Sequence, residues 1–269
     1  MLLQWLRCLI SFGTAMCAGL AAPHADPLPM LGCERPIRLA FYEFGSLFHQ
    51  GVGIDRDVVE EIARRTSCRF ETQILPRDEI WRQLESGRLD MTTSGTETAS
   101  RAIFAHFIPY LGLKNVIVTN RDDAAGISSF DDLLARPDWR IGIVAGFLYG
   151  GYYDNRLRAP AHQSQIRTYL DQQSLYLALA NGEVQAVLSA AVNYGFYLPL
   201  KSQEEHFAIA DLSPAPPMPH AMVFSRFRFT PTMINNWTRL FEQMRLDGTL
   251  LRIYQRRLPP QIASGLLTY

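Results

Sequence analysis

The sequence predicts a two-domain α/β protein in which each domain is built on a mainly parallel sheet flanked by helices. Three observations lead there. Strand-like and helix-like segments alternate from residue 36 to residue 95. A second series runs from the strand-like RIGIVAG to the strand-like QAVLSA, and the proline-dense DLSPAPPMPH separates that series from the last helical segments. At 269 residues, with 48% hydrophobic and 19% charged, the chain can bury one large core or two modest ones. Lysine plus arginine equals aspartate plus glutamate at 26 each, so no global field directs it to nucleic acid or to an anionic membrane surface.

Taken in order, the chain opens with MLLQWLRCLISFGTAMCAGLAAPHAD, where Arg7 precedes an apolar run that ends in small residues. That pattern predicts a signal peptide over residues 1–25, cleaved after Ala21, Ala22 or Ala25, and hence a periplasmic protein. Gly13, Thr14 and Gly19 interrupt the run before it reaches the ~20 residues of a membrane span. Cleavage would leave Cys33 and Cys68, each just ahead of a strand-like segment, PIRLAFY and RFETQIL. If those strands are parallel neighbours, their starting ends lie side by side and a disulfide is possible in an oxidising compartment. Two buried thiols are the alternative.

Between those strands, DRDVVEEIARRTS places Val58, Val59, Ile62 and Ala63 on one helical stripe. RDEIWRQLESG repeats the spacing through Ile80, Trp81 and Leu84 and stops at Gly87, a natural left-handed cap. RLDMTTS then reads as strand. In the second series SSFDDLLARPDW is a short helix with Ser129 and Asp132 at capping-box spacing. RIGIVAG is a strand ending at Gly146, and SLYLALANGEVQAVLSA is a helix, a stop at Gly182 and a strand. After the proline-rich return, MVFSRF is strand-like, Thr230 and Pro231 start a helix, and a second helix follows Gly248.

One stretch carries most of the functional signal. TTSGTETASR, Thr92 to Arg101, gathers small hydroxyls and one guanidinium just past the end of a strand. Hydroxyls and backbone N–H groups beside an arginine make a seat for a carboxylate, because the planar fork bonds both oxygens and the small groups fill the remaining acceptor sites. Thr92 and Thr93 read as ordinary strand residues, and Thr98 suits a helix cap as well as a ligand contact. No phosphate-binding glycine loop or nucleophile elbow is present, and His24, His49, His106, His162, His206 and His220 have no metal-ligand spacing. The expectation is accordingly no metal, no cofactor and no enzymatic activity.

The run from Gly53 through Asp57, Leu84, Gly87, Asp90, Thr98 and Arg101 to Pro109 and Tyr110, with Asp247, Gly248 and Thr249 near the end, resembles the amino-acid-type (family 3) extracellular solute-binding proteins of ABC transporters. The resemblance covers nearly the whole mature chain. It implies a type II periplasmic binding fold of two lobes joined by two hinge crossings: lobe one over 26–119 and 215–269, lobe two over 120–214. It places Arg101 on the carboxylate of a small solute and makes Ser94 and Thr96 donors to the same group. Tyr42 and Phe44, after the first strand, become an aromatic wall, and a monomer that hands its solute to a membrane permease or sensor is implied.

Two departures bear on the ligand. The family's lobe-two aspartates, which take an ammonium group, correspond here to Gln185 and Ala190, so a standard α-amino acid held in the standard way is not expected. An unpaired buried ammonium would be costly. After RIGIVAG, a small hydroxyl residue gives way to FLYGGYYDN, and Phe147 and Tyr149 are the aromatic candidates on that side. Glu43, Glu97 and Asp154 are the acids that would serve if the ligand were cationic. A carboxylate-bearing polar or aromatic solute is the expectation; a dehydratase-like enzyme or a sensory input module on the same fold are the alternatives.

Overall fold

The computed structural model describes residues 30–198 and 206–269, so the signal-peptide reading of residues 1–25 lies outside the described residues. Two five-stranded sheets organise the chain. The first contains β1 (Ile37–Phe41), β2 (Phe70–Ile74), β3 (Met91–Gly95), β4 (Ala105–Leu113) and β10 (Met218–Ser225), in the order β2-β1-β3-β10-β4. The second contains β5 (Asn115–Asn120), β6 (Ile141–Val144), β7 (Ile166–Tyr169), β8 (Ala186–Ala190) and β9 (Phe207–Ala210), in the order β7-β6-β8-β5-β9.

In each sheet four strands point the same way and one, β10 or β5, runs against them. β1 pairs parallel with β2 and β3, and β6 with β7 and β8; β10 is antiparallel to β3 and β4, and β5 to β8 and β9. Parallel neighbours need a crossover over one face of the sheet, whereas β5 and β10 each arrive straight from the other lobe. The first crossing is at Lys114, between β4 and β5. From there β5 pairs with β8 in the second sheet. The return crossing spans 211–217, between β9 and β10. β10 starts at Met218, ahead of the expected MVFSRF, because Pro219 sits opposite Gly112 next to a register shift between His220 and Ala221.

The helices follow from their stripes and caps. α1 (Ile54–Thr66) buries Ile54, Val58, Val59 and Ile62, and α2 (Arg77–Glu85) buries Ile80 and Leu84. Gly87, with φ +68°, ends α2 in the left-handed conformation that spacing predicts. A short α3 (Ala99–Ala102) follows β3, and Thr98 caps it by accepting from the Arg101 N–H. α4 (Phe130–Leu134) opens with the expected capping box of Ser129 and Asp132. α5 (Gly151–Leu157), α6 (Gln172–Ala180) and α7 (Tyr194–Tyr197) complete lobe two. α8 (Pro231–Leu246) begins at the Thr230 cap, and Gly248 separates it from α9 (Thr249–Gln255). A third C-terminal helix, α10 (Pro260–Gly265), was not expected; Pro260 occupies its first turn, where a missing N–H costs nothing.

Cys33 and Cys68 form a disulfide with Cα atoms 5.2 Å apart. It closes where parallel pairing of β1 with β2, Ile37 opposite Phe70, brings the starting ends together. Asp90 is buried at the start of β3 and accepts from the Arg38 N–H at 2.9 Å, Arg38 Nη2 at 2.7 Å and Arg228 Nη1 at 2.6 Å. Burial alone would raise its pKa, yet these donors hold it below the usual carboxylate value. Asp247 accepts from the Thr249 N–H and from Arg65 on α1. The aspartates at both ends of the sequence pattern therefore brace lobe one and belong to its scaffold. One core fills lobe one, two smaller ones cover the faces of the second sheet, and Ala190 and Val192 of lobe two pack into the lobe-one core.

Candidate functional site

The carboxyl ends of β1, β2, β3 and β6 meet where the lobes touch, the place at which open α/β sheets present ligand groups. The turn after β3 is anchored from below. Ser94 has φ +50°, uncommon for a residue with a side chain, and every polar group it owns is engaged. Its Oγ lies 2.9 Å from both Asp55 carboxylate oxygens and 2.8 Å from the Tyr110 hydroxyl, and its N–H donates to that hydroxyl at 3.1 Å. Its carbonyl accepts from Tyr42 at 2.9 Å and faces His220 Nδ1 at 3.0 Å. Ser94 is fully buried, and the left-handed kink turns its side chain inward as the pin of the turn. Thr92 donates to the Ala40 carbonyl, an ordinary strand role.

Asp55, also bonded to Tyr110, sits beneath the turn with its pKa pushed up to about 6 by burial, against the pull of its hydroxyl donors. Between its ordinary 3.8 and about 6 the folded protein holds a proton that the unfolded chain has released. Asp55 therefore lowers stability progressively as pH rises through that window. Relative to an Asp55→Asn variant, the natural protein is expected to gain about 1 kcal/mol of unfolding free energy between pH 7 and pH 5. Urea unfolding of both proteins at the two pH values checks this; a difference independent of pH would contradict it.

Arg101, on α3, is half-buried and lies flat on Trp81, its Cζ 3.8 Å from the ring centroid. Nη1 donates to the Thr96 carbonyl at 2.9 Å, so Thr96 holds the arginine through its backbone. Among the described residues no carboxylate forms an ion pair with Arg101. Burial, and then the charge of Arg77, bring its pKa down to about 10. Trp81 comes this close because β3 ends in Gly95, where a Cβ would lie 2.3 Å from Val223 Cγ2 and 3.1 Å from Trp81.

The four aromatics singled out in the sequence come together across the lobes. Ring centroids are 5.7 Å apart for Tyr42 and Phe44, 5.5 Å for Phe44 and Phe147, and 4.8 Å for Phe147 and Tyr149. Tyr42 and Phe44 follow β1 in lobe one, whereas Phe147 and Tyr149 follow β6 in lobe two. Tyr42, bonded to the Ser94 carbonyl, has its pKa pushed up to about 12 by burial. Tyr149 accepts from the Val144 N–H at 2.8 Å, and its own N–H donates to Asp154 at 3.1 Å, so Asp154 is already engaged within lobe two.

Sequence reasoning missed Arg77. It stands in the first turn of α2, just past β2, with Cζ 4.8 Å from the Tyr42 centroid and 5.5 Å from that of Phe147. Its one local signal is a cation in a first helical turn, which the helix dipole disfavours. Of the other acids considered, Glu43 pairs with His49 at 2.8 Å and Glu97 is exposed. Gln185 Oε1 accepts from the Arg140 N–H at 2.8 Å, and Ala190 is fully buried. Two surface cavities of about 770 and 720 Å³ lie elsewhere, one beside the disulfide and α8, the other between α7 and the C-terminal helices. Neither is lined by Arg77, Arg101 or the four aromatics. Among the described residues no group of three or more His, Cys, Asp or Glu could hold a metal ion, and no helix is long and apolar enough to cross a membrane.

Residues 40–259 match the model of the bacterial extracellular solute-binding proteins, family 3. No curated protein matches the sequence significantly. Among solved structures, a putative ABC transporter binding component from Wolinella succinogenes, complexed with lysine, is similar at TM-score 0.70 and 17% identity, over 82% of this chain and 95% of that one. The arginine-, lysine-, histidine-binding protein ArtJ from Geobacillus stearothermophilus gives 0.65 and 17%, over 83% and 95%. An ancestral amino acid-binding protein, a precursor of cyclohexadienyl dehydratase, gives 0.63 and 18%, over 83% and 95%.

Proposed function

The chain belongs to the bacterial extracellular solute-binding proteins, family 3, and from that premise we propose that it is an exported binding protein that clamps a small carboxylate-bearing polar or aromatic solute between its lobes. The observation that supports this reading is the Arg101 guanidinium, half-buried at the lobe junction on Trp81, with only the Thr96 carbonyl as acceptor among the described residues. A carboxylate would take the unused edge of the fork, and the Tyr42, Phe44, Phe147 and Tyr149 faces would pack against the rest of the solute.

Because Phe147 belongs to lobe two and Arg101 to lobe one, a solute touching both favours the closed arrangement by its differential contacts with it. A permease or sensor in the inner membrane would then read the closed form. Neighbours whose names mention lysine or arginine suggest amino-acid-like solutes. Ala190, and Gln185 turned to the Arg140 backbone, argue against a charged ammonium in lobe two.

A thermal-shift screen of amino acids, organic acids and aromatic acids tests the proposal, since a ligand selective for the folded state raises the melting temperature by mass action. Hits are expected among acids, recovered chemically unchanged after incubation with the protein. Hits confined to solutes without an acid group would overturn the reading.

A further inference from the structure

We propose that the solute is a dicarboxylate without an ammonium group, its second acid held by Arg77. This rests on the proposed Arg101 seat and adds a second cation to it. Within lobe one the other half-buried arginines are spent on acids: Arg38 and Arg228 on Asp90, Arg56 on Glu60, Arg65 on Glu61 and Asp247. Arg77 and Arg101 differ in kind. Each rests on aromatic faces, Arg77 on Tyr42 and Phe147 and Arg101 on Trp81, and among the described residues neither has a carboxylate within ion-pair distance.

The two positive charges are close enough that Arg77 makes Arg101 easier to deprotonate, and Arg77 acts on the buried His220 in the same sense. Two like charges gathered at a half-buried junction are mutually repulsive, and aromatic faces attract a cation without neutralising it. A monocarboxylate would leave one of them uncompensated, whereas a dicarboxylate neutralises both. Its two ends would also be read by different elements, the turn after β3 and the first turn of α2. Phe147 of lobe two touches Arg77, so the second acid group binds at the contact that closes the lobes. Arg77 is thus a specificity residue and Arg101 the general carboxylate contact.

Titration calorimetry on the purified protein tests this with butanedioate, pentanedioate and hexanedioate beside the monocarboxylates of the same chain lengths and 2-aminopentanedioate. The best dicarboxylate is expected to bind roughly 10- to 100-fold more tightly than its monocarboxylate partner and more tightly than the ammonium-bearing analogue. Arg77→Gln should bring the di-to-mono ratio close to one. Arg77→Lys, which keeps the charge but loses the stacked fork, should retain part of the ratio. Arg77 is part-exposed, and melting curves of both variants confirm that they fold.

Monocarboxylates that bind as tightly as dicarboxylates, or a ratio unmoved by Arg77→Gln, would overturn the dicarboxylate assignment alone, provided that binding still depends on Arg101. Tighter binding of the ammonium-bearing analogue would remove the claim that no ammonium is held. No binding of any acid would overturn both this inference and the carboxylate seat beneath it.

Discussion

Arg101→Ala is expected to weaken binding of any carboxylate solute by roughly 10- to 100-fold or more, the equivalent of about 1.5–3 kcal/mol for a charge-assisted hydrogen bond and more where the fork bonds both oxygens. The size follows from the setting. The guanidinium is half-buried, stacked at 3.8 Å on Trp81 and held by the Thr96 carbonyl, so its orientation is fixed before a ligand arrives. Little rotamer freedom remains to be lost on binding. Stability should hardly change, because the side chain has no acid partner to orphan and its charged form already sits where burial disfavours it.

Arg101→Lys should recover only part of the affinity, since an ammonium is a point charge that neither forks onto a carboxylate nor lies flat on indole. Calorimetry with the best acid, paired with a melting curve for each variant, makes the comparison. An alanine variant that binds as well as the natural protein would show that the seat is elsewhere.

The largest stability effect is expected from the Cys33–Cys68 disulfide. With 35 residues of separation, removing the bridge should cost on the order of 3–4 kcal/mol in the chain-entropy picture. A Cys33→Ser, Cys68→Ser double variant, and the natural protein under reductant, should both unfold at lower denaturant. Ligand affinity should be unaffected, because the bridge joins the starting ends of β1 and β2 whereas Tyr42, Phe44 and Arg77 follow their far ends. An unchanged unfolding midpoint would mean that the bridge does little in the folded protein. A changed affinity would mean that strain at one end of the sheet reaches the other.

Which parts were legible in the sequence follows the range of the interactions involved. The Ser129–Asp132 capping box, the Thr230 cap and the left-handed glycines at 87, 182 and 248 depend on bonds spanning a few residues, and each stands where its pattern put it. The buried stripes of α1 and α2 are equally local, since a helix turns its apolar positions to one side whatever lies there. The two-lobe plan, the disulfide and the grouping of Tyr42, Phe44, Phe147 and Tyr149 were legible one level up. They need only that parallel strands align their ends and that loops after strand ends share a rim.

Tertiary contacts alone decided the remainder. The direction of β5 and β10 depends on which lobe each strand comes from, and a strand's own residues do not record that. Ser94 looks like a donor at the end of a hydroxyl-rich turn. Its side chain turns inward because Asp55 and Tyr110, from two other elements, offer buried partners that only the folded chain assembles. Arg77 reads as a surface arginine among acidic neighbours until Tyr42 and Phe147, one from each lobe, present their faces to it. Short-range geometry was thus written in the sequence, while the aim of each side chain waited for partners distant along the chain, because a hydrogen bond or a stacked cation is defined by both of its ends.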